Sequence, residues 1–205
     1  MVLENKLGII SSAELSEAEE RLTKSRAAEI FTDQLLGDKV PGMFSTLAFI
    51  HGHLFQDIYG FAGKVRNEDI SKGGFRFASA LYLDAALSQI EQMPQRSFDE
   101  VIKKYVEMNV AHPFREGNGR SMRIWLDHIL LTELGVVVDW QRVGKQDYLM
   151  AMERSPIKDT EIRVLLHDAL IQEVDDRATF MKGIDASYAY EGYEAFVTEE
   201  LAQGA

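Results

Sequence analysis

The sequence predicts an all-α helical bundle carrying one small β-hairpin. Two observations lead there. Apolar residues recur at helical spacing through most of the chain, and a single stretch, residues 60–77, replaces that rhythm with glycines, polar residues and isolated aromatics.

The elements follow in order. Residues 12–36 carry Leu15, Ala18, Leu22, Ala27, Ile30, Phe31 and Leu35 at roughly helical spacing, with charge on the other face, and Gly37 and Pro41 close the run. Residues 43–59 are apolar on most sides through Phe44, Leu47, Ile50, Leu54, Phe55 and Ile58, which predicts a buried helix. Gly73-Gly74 between Ile70 and Phe75 marks a hairpin turn, and this is the one place where strand is expected. Such a ribbon has a weak core of its own, and its edge can accept a partner strand. Helices are then expected over 78–92, 98–111 and 119–134. Ser97 with Glu100 forms a capping box that starts the middle one, and Phe98, Val101, Ile102 and Tyr105 are its buried stripe. Pro113 stops it and pushes His112 out of helical geometry. Met122, Trp125, Leu126, Ile129 and Leu130 make the buried face of the next. Further helices are expected over 143–155 and 159–171, with an acidic connection at 173–176 and a last helix over 187–201. There are no repeats and no low-complexity tract.

Composition bounds the rest. With 205 residues, 46% of them hydrophobic, the chain fills one core. It has no cysteine, which excludes thiolate zinc sites, disulfides and thiol nucleophiles and fits a reducing compartment. The apolar run at residues 1–10 is too short for a signal peptide, and no stretch approaches the ~20 apolar residues of a membrane span, so a cytoplasmic protein off the membrane is expected. A net charge of -11 argues against broad nucleic-acid binding.

Residues 112–123, HPFREGNGRSMR, place a base, a carboxylate, two glycines and two arginines between two buried helices. Gly117-Asn118-Gly119 before a helix presents backbone N–H groups and the positive end of the helix dipole, although the same tripeptide is also an ordinary helix-start turn. Arg120 and Arg123, three apart, bring two guanidiniums to the first turn, where positive charge opposes the dipole unless an anion sits between. Glu116 serves either as a helix-start carboxylate or as a magnesium ligand bridging phosphate oxygens. His112 serves either as a helix cap or as a proton acceptor near neutral pH. Other histidines carry less: His51 and His53 point apart on a helix, and His128 and His167 have no ligand pattern around them. The chain lacks a GxxxxGK[ST] loop, and its G-x-G lacks the third glycine of a dinucleotide fold.

The run resembles, at each fixed position, the signature of the Fic domain family, His-x-Phe-x-Asp/Glu-Gly-Asn-Gly-Arg-x-x-Arg. Residues 50–66, the Gly73-Gly74 ribbon and the segment 152–156 are similar to the family as well, so the likeness covers most of residues 40–175. It implies a helical Fic fold with a β-ribbon flap: a single domain over 1–205, with core about 40–175 and flap about 67–77. It implies transfer of AMP from ATP to a protein hydroxyl with release of pyrophosphate. His112 would then deprotonate the target Ser, Thr or Tyr, and Glu116 would hold Mg2+ on the α and β phosphates. Gly117, Asn118 and Gly119 would line the phosphates, Arg120 would meet the β phosphate and Arg123 the γ phosphate. The flap would align the target by strand pairing, with Lys72 close to the nucleotide.

A second likeness lies near the C-terminal end. Ser187-Tyr-Ala-Tyr-Glu191-Gly192 resembles the inhibitory signature Ser/Thr-x-x-x-Glu-Gly/Asn of the short, self-inhibited Fic proteins, which implies an inhibitory helix over about 187–201. Glu191 paired with Arg123 would occupy the place of a γ phosphate. Tyr188 and Tyr190 are then self-modification acceptors if that helix loosens, and a homo-oligomer is expected. The alternatives are removal of AMP, another Fic-type phosphotransfer such as a Doc-type kinase, and a nucleotide-dependent binding module without turnover.

Overall fold

The computed structural model describes residues 2–72, 75–172 and 176–203. The Gly73-Gly74 turn, the side chain of Lys72 and most of the acidic connection lie outside the described residues. Helix α1 (Ser12–Thr32) starts where Ser11 accepts the Glu14 N–H. Helix α2 (Phe44–Phe55) runs through the core, with Leu47, Ile50, Leu54 and Phe55 fully buried. Strands β1 (Ser71–Lys72) and β2 (Phe75–Arg76) pair antiparallel, Ser71 opposite Arg76. The helix expected over 78–92 is a 3-10 turn leading into α3 (Leu83–Glu91). Helix α4 (Phe98–Ala111) carries the expected capping box, and α5 (Asn118–Leu134) buries its Trp125 face against α2. There follow β3 (Val137–Val138), α6 (Lys145–Arg154), α7 (Thr160–His167), β4 (Leu170–Ile171), α8 (Arg177–Ala189) and α9 (Thr198–Gln203). Among the described residues no helix is long and apolar enough to cross a membrane.

Three expectations are corrected. The hairpin is not the only ribbon. Gly135 ends α5 at φ 67°, which frees Val137 and Val138 to pair with Leu170 and Ile171, so the helix expected over 159–171 stops at His167. The helix expected over 187–201 is instead the end of α8, an irregular turn and α9. Asp176 caps α8 by accepting the Thr179 N–H, and Gly192 leaves the helical region at φ 90°. Finally, the inner face of α1 is polar: Glu19, Glu20, Thr23 and Lys24 are buried there alongside Leu15, Ala27 and Ile30.

Those charges are satisfied by the C-terminal part of the fold. Lys24 Nζ meets Glu20 Oε1 at 2.9 Å and Asp185 Oδ1 of α8 at 3.1 Å, and donates to the Phe196 carbonyl at 2.6 Å. Glu20 accepts the N–H groups of Ala195 and Phe196. Residues 195–196 are thereby held on α1. This positions the turn that carries Glu191.

Candidate active site

The loop between α4 and α5 is set by backbone constraints. His112 ends α4 at φ 48° and donates its N–H to the Met108 carbonyl, and Gly117 precedes α5 at φ 76°. A Cβ on Gly117 would lie 2.2 Å from Phe55 Cζ, so only glycine fits. The Asn118 amide closes the loop, its Oδ1 accepting the Phe114 N–H at 2.9 Å and its Nδ2 donating to the Phe114 carbonyl at 2.7 Å. Asn118 therefore offers backbone, not side chain, to the cleft.

Two residues outside the loop brace it, and neither role was read from the sequence. His51 is fully buried, stacks on Phe114 at 3.8 Å, accepts the Gly63 N–H on Nδ1 at 2.8 Å and donates from Nε2 to the Glu116 carbonyl at 2.8 Å. Burial lowers its pKa to about 4, so it is a neutral brace and not a base. Arg66 donates to the carbonyls of His112, Ala111, Ala78 and Glu68, while its own N–H binds the Pro113 carbonyl. A buried arginine spent wholly on main-chain oxygens holds the loop and leads into the flap.

The two signature arginines converge on one carboxylate. Glu191, just beyond α8, places Oε1 2.9 Å from Arg123 Nη2 and Oε2 3.0 Å from Arg120 Nε. Arg123 also donates from Nε to Ser187 Oγ at 2.6 Å and from Nη2 to the Ser187 carbonyl at 2.8 Å. The expected pairing of Glu191 with Arg123 thus extends to Arg120. Arg120 is wholly buried and meets two further carboxylates, Glu19 of α1 at 2.7 Å and Glu116 at 3.3 Å. Burial opposes its charge, but Glu191 and Glu19 outweigh that and hold its pKa well above the ordinary arginine value. Gly119 makes room for the bridge, since a Cβ there would lie 2.6 Å from Glu191 Oε1.

These groups border an open cleft of about 900 Å³, with Ile70, Ser71, Phe75 and Phe77 of the flap on one side and Tyr148, Leu149 and Met152 of α6 on another. His112 stacks on Phe77 at 3.7 Å, and its Nδ1 lies 3.3 Å from the Asn109 carbonyl. A carbonyl only accepts, so Nδ1 carries the proton and Nε2 the lone pair of the neutral ring. Glu116, 40% exposed, accepts the Gly117 N–H on Oε1.

Tyr188 and Tyr190 do not present accessible hydroxyls. Tyr188 is fully buried, and Tyr190 donates its hydroxyl to the Trp140 and Val143 carbonyls while stacking on Tyr148 at 5.1 Å. In this closed state both rings pack, Tyr188 against Arg120 and Tyr193 and Tyr190 against Trp140 and Tyr148, so self-modification would require the C-terminal segment to loosen. Lys72 cannot be placed, its side chain lying outside the described residues. Sequence reading also missed Glu19 and Tyr193, whose hydroxyl donates to Glu19 Oε1 at 2.9 Å. The one local signal was Glu20 and Lys24, four apart on a face that also carries apolar residues.

Comparison with known proteins points to one family. The Fic/DOC family pattern matches residues 44–130. The chain is 30% identical over 181 residues to the probable protein adenylyltransferase Fic of Salmonella typhimurium, covering 82% of this chain and 88% of that protein. It is 33% identical over 201 residues to the protein adenylyltransferase VbhT of Bartonella schoenbuchensis, covering 91% of this chain but 40% of that longer one. The crystal structure of the BepC protein of Bartonella tribocorum with bound AMPPNP superposes with a TM-score of 0.70 at 20% identity, over 83% of this chain and 93% of that one, a likeness of fold. With the family's signature loop between α4 and α5 and a relative at 30% identity over 88% of its length, the chain belongs to the Fic/DOC family.

Proposed function

We propose that this protein is an adenylyltransferase that moves AMP from ATP to a Ser, Thr or Tyr hydroxyl of a target protein, and that Glu191 holds it off. The carrying observation is the bridge from one carboxylate to both signature arginines, at 2.9 and 3.0 Å, beside His112 at the foot of an open cleft. Its two oxygens lie where anionic phosphate oxygens would be bound.

In the reaction, His112 Nε2 takes the proton as the target hydroxyl oxygen attacks the α phosphorus. The bond from that phosphorus to the bridging oxygen of the β phosphate breaks, and pyrophosphate leaves. Arg120 and the N-terminal turn of α5 stabilise charge on the leaving group, and Arg123 holds the γ phosphate. Glu116, whose carboxylate is 40% exposed at the cleft, would hold a magnesium ion there. Bound there, magnesium would neutralise phosphate charge and orient the leaving group. A target segment pairs with the flap, whose Ile70, Ser71, Phe75 and Phe77 border the cleft. A cytoplasmic setting and assembly into a homo-oligomer through surfaces near α8 and α9 complete the reading; light scattering across concentration tests the latter.

The test is label transfer in a cell extract. ATP labelled on the α phosphate should label protein strongly with Glu191→Gly and weakly with the wild type, and His112→Ala in the Glu191→Gly background should abolish it. Transfer of γ label instead would mean phosphorylation, and binding with neither label a nucleotide-dependent module.

A further inference from the structure

One buried acid at the site is left without a task by this reaction. Glu19 lies on α1, outside the residues 44–130 that carry the family pattern, and is 2% exposed. Its Oε1 meets Arg120 Nη1 at 2.7 Å and accepts the Tyr193 hydroxyl at 2.9 Å, while its Oε2 accepts the Tyr59 hydroxyl. Burying a carboxylate this completely is costly unless each oxygen is engaged, and here both are.

A guanidinium is planar, so fixing one edge fixes the direction of the other. Arg120 donates from Nη2 to Glu116 and holds Nη1 2.7 Å from Glu19 and Nε 3.0 Å from Glu191 as ion pairs. The Phe55 and Tyr193 rings lie 4.9 and 4.7 Å from its carbon. Two of the three carboxylates have other work in the proposed reaction. Glu191 must withdraw before phosphate can enter, and Glu116 would hold magnesium. Glu19 alone of the three can stay.

We propose that Glu19 is a positioning residue: it pins the Nη1 edge of Arg120 so that the Nε and Nη2 edge keeps facing the β phosphate after Glu191 has left. This rests on the phosphate-transfer reading of the site. Glu19 touches no reacting atom, and its effect runs through Arg120. It also keeps a counter-charge on the buried guanidinium once Glu191 has withdrawn and Glu116 is engaged elsewhere.

Nucleotide binding separates this role from general damage to the fold. ADP and AMP are titrated calorimetrically, with magnesium, into Glu191→Gly and into Glu191→Gly with Glu19→Gln added. The expected result is a roughly tenfold loss of ADP affinity with AMP affinity unchanged within about twofold, because only ADP carries the phosphate that Arg120 meets. Should Glu19→Gln not fold, Glu19→Asp keeps the charge and withdraws it by one methylene, and should show the same selectivity at smaller size. Equal losses for ADP and AMP, or no loss of ADP in a folded variant, overturn the assignment. Failure of Glu191→Gly to bind ADP at all removes the phosphate reading itself, and the role of Glu19 with it.

Discussion

Replacing Glu191 with glycine is the perturbation whose size follows most directly from the geometry. The carboxylate makes charge-assisted contacts to two guanidiniums at 2.9 and 3.0 Å and is 18% exposed. The hydrogen bond from Arg123 contributes ~1.5–3 kcal/mol before the cost of pinning the side chain, and the Arg120 ion pair adds to it. A net ~2.7 kcal/mol keeps about one molecule in a hundred open. A phosphate oxygen entering with Glu191 in place would meet a unit negative charge at ~4 Å, which costs about 4 kcal/mol at an effective dielectric near 20, so the two anions exclude each other. Glu191→Gly should therefore raise the rate of AMP transfer by up to ~100-fold. The fold should tolerate the change. Without Glu191, Arg120 keeps Glu19 and Glu116 and Arg123 keeps its two bonds to Ser187, so the change should cost about 1–3 kcal/mol of unfolding free energy. Initial rates of α-label incorporation, alongside thermal unfolding, measure both. Equal rates in wild type and variant would refute the inhibitory role of Glu191, and label transfer that survives His112→Ala would refute the role of His112 as base.

Other outcomes follow from buried groups. Burial pushes the Asp127 carboxyl up to about 7, against the hydrogen bonds it accepts from Trp140 and Val138, so its folded state binds more protons than the unfolded chain and its contribution to stability is lost as pH rises through about 7. His51, lowered to about 4 by burial, works the other way, its contribution being lost as pH falls from its unfolded value toward 4. At about 1.4 kcal/mol per pKa unit the two are of similar size and offset each other between about pH 4.5 and 6.5. Denaturant unfolding should show Asp127→Asn growing more stable with rising pH across that window and His51→Gln less stable. Gly117→Ala should cost ~3 kcal/mol or more and abolish transfer, because a Cβ meets Phe55 at 2.2 Å in addition to its strain at φ 76°. Gly135→Ala, at φ 67° with nothing within 4 Å, should cost only ~1–2 kcal/mol of backbone strain and leave transfer intact.

Helix α4 came out of the sequence with both ends right because its signals are local: a capping box at Ser97 and Glu100, and Pro113 just beyond. The site loop was legible for the same reason, its base, carboxylate, glycines and arginines being contiguous. What stayed hidden depends on partners far along the chain. Glu19, Glu20 and Lys24 read as a solvated face because nothing nearby in sequence announces Arg120, Asp185 or the main chain at 195–196. His51 was unreadable as a brace because its ring bonds main-chain groups, which leave no residue pattern. The β3–β4 ribbon has two residues per strand, too few for any alternation to appear.

The attachment of residues 195–196 to α1 has a consequence for the order in which the molecule assembles. The bond from Lys24 to the Phe196 carbonyl closes a span of 172 residues. Such a long closure adds little extra entropy but comes late in folding, after contacts between near neighbours. The Asn118 bonds that close the α4–α5 loop are contacts of that short-range kind. Helix α1, by contrast, cannot bury Glu20 and Lys24 until Asp185 and the segment behind α8 arrive to satisfy them. That arrival also carries Glu191 onto Arg120 and Arg123. If Glu191 inhibits as proposed, completing the fold and silencing the site are one event, and a newly made molecule should reach its native state switched off.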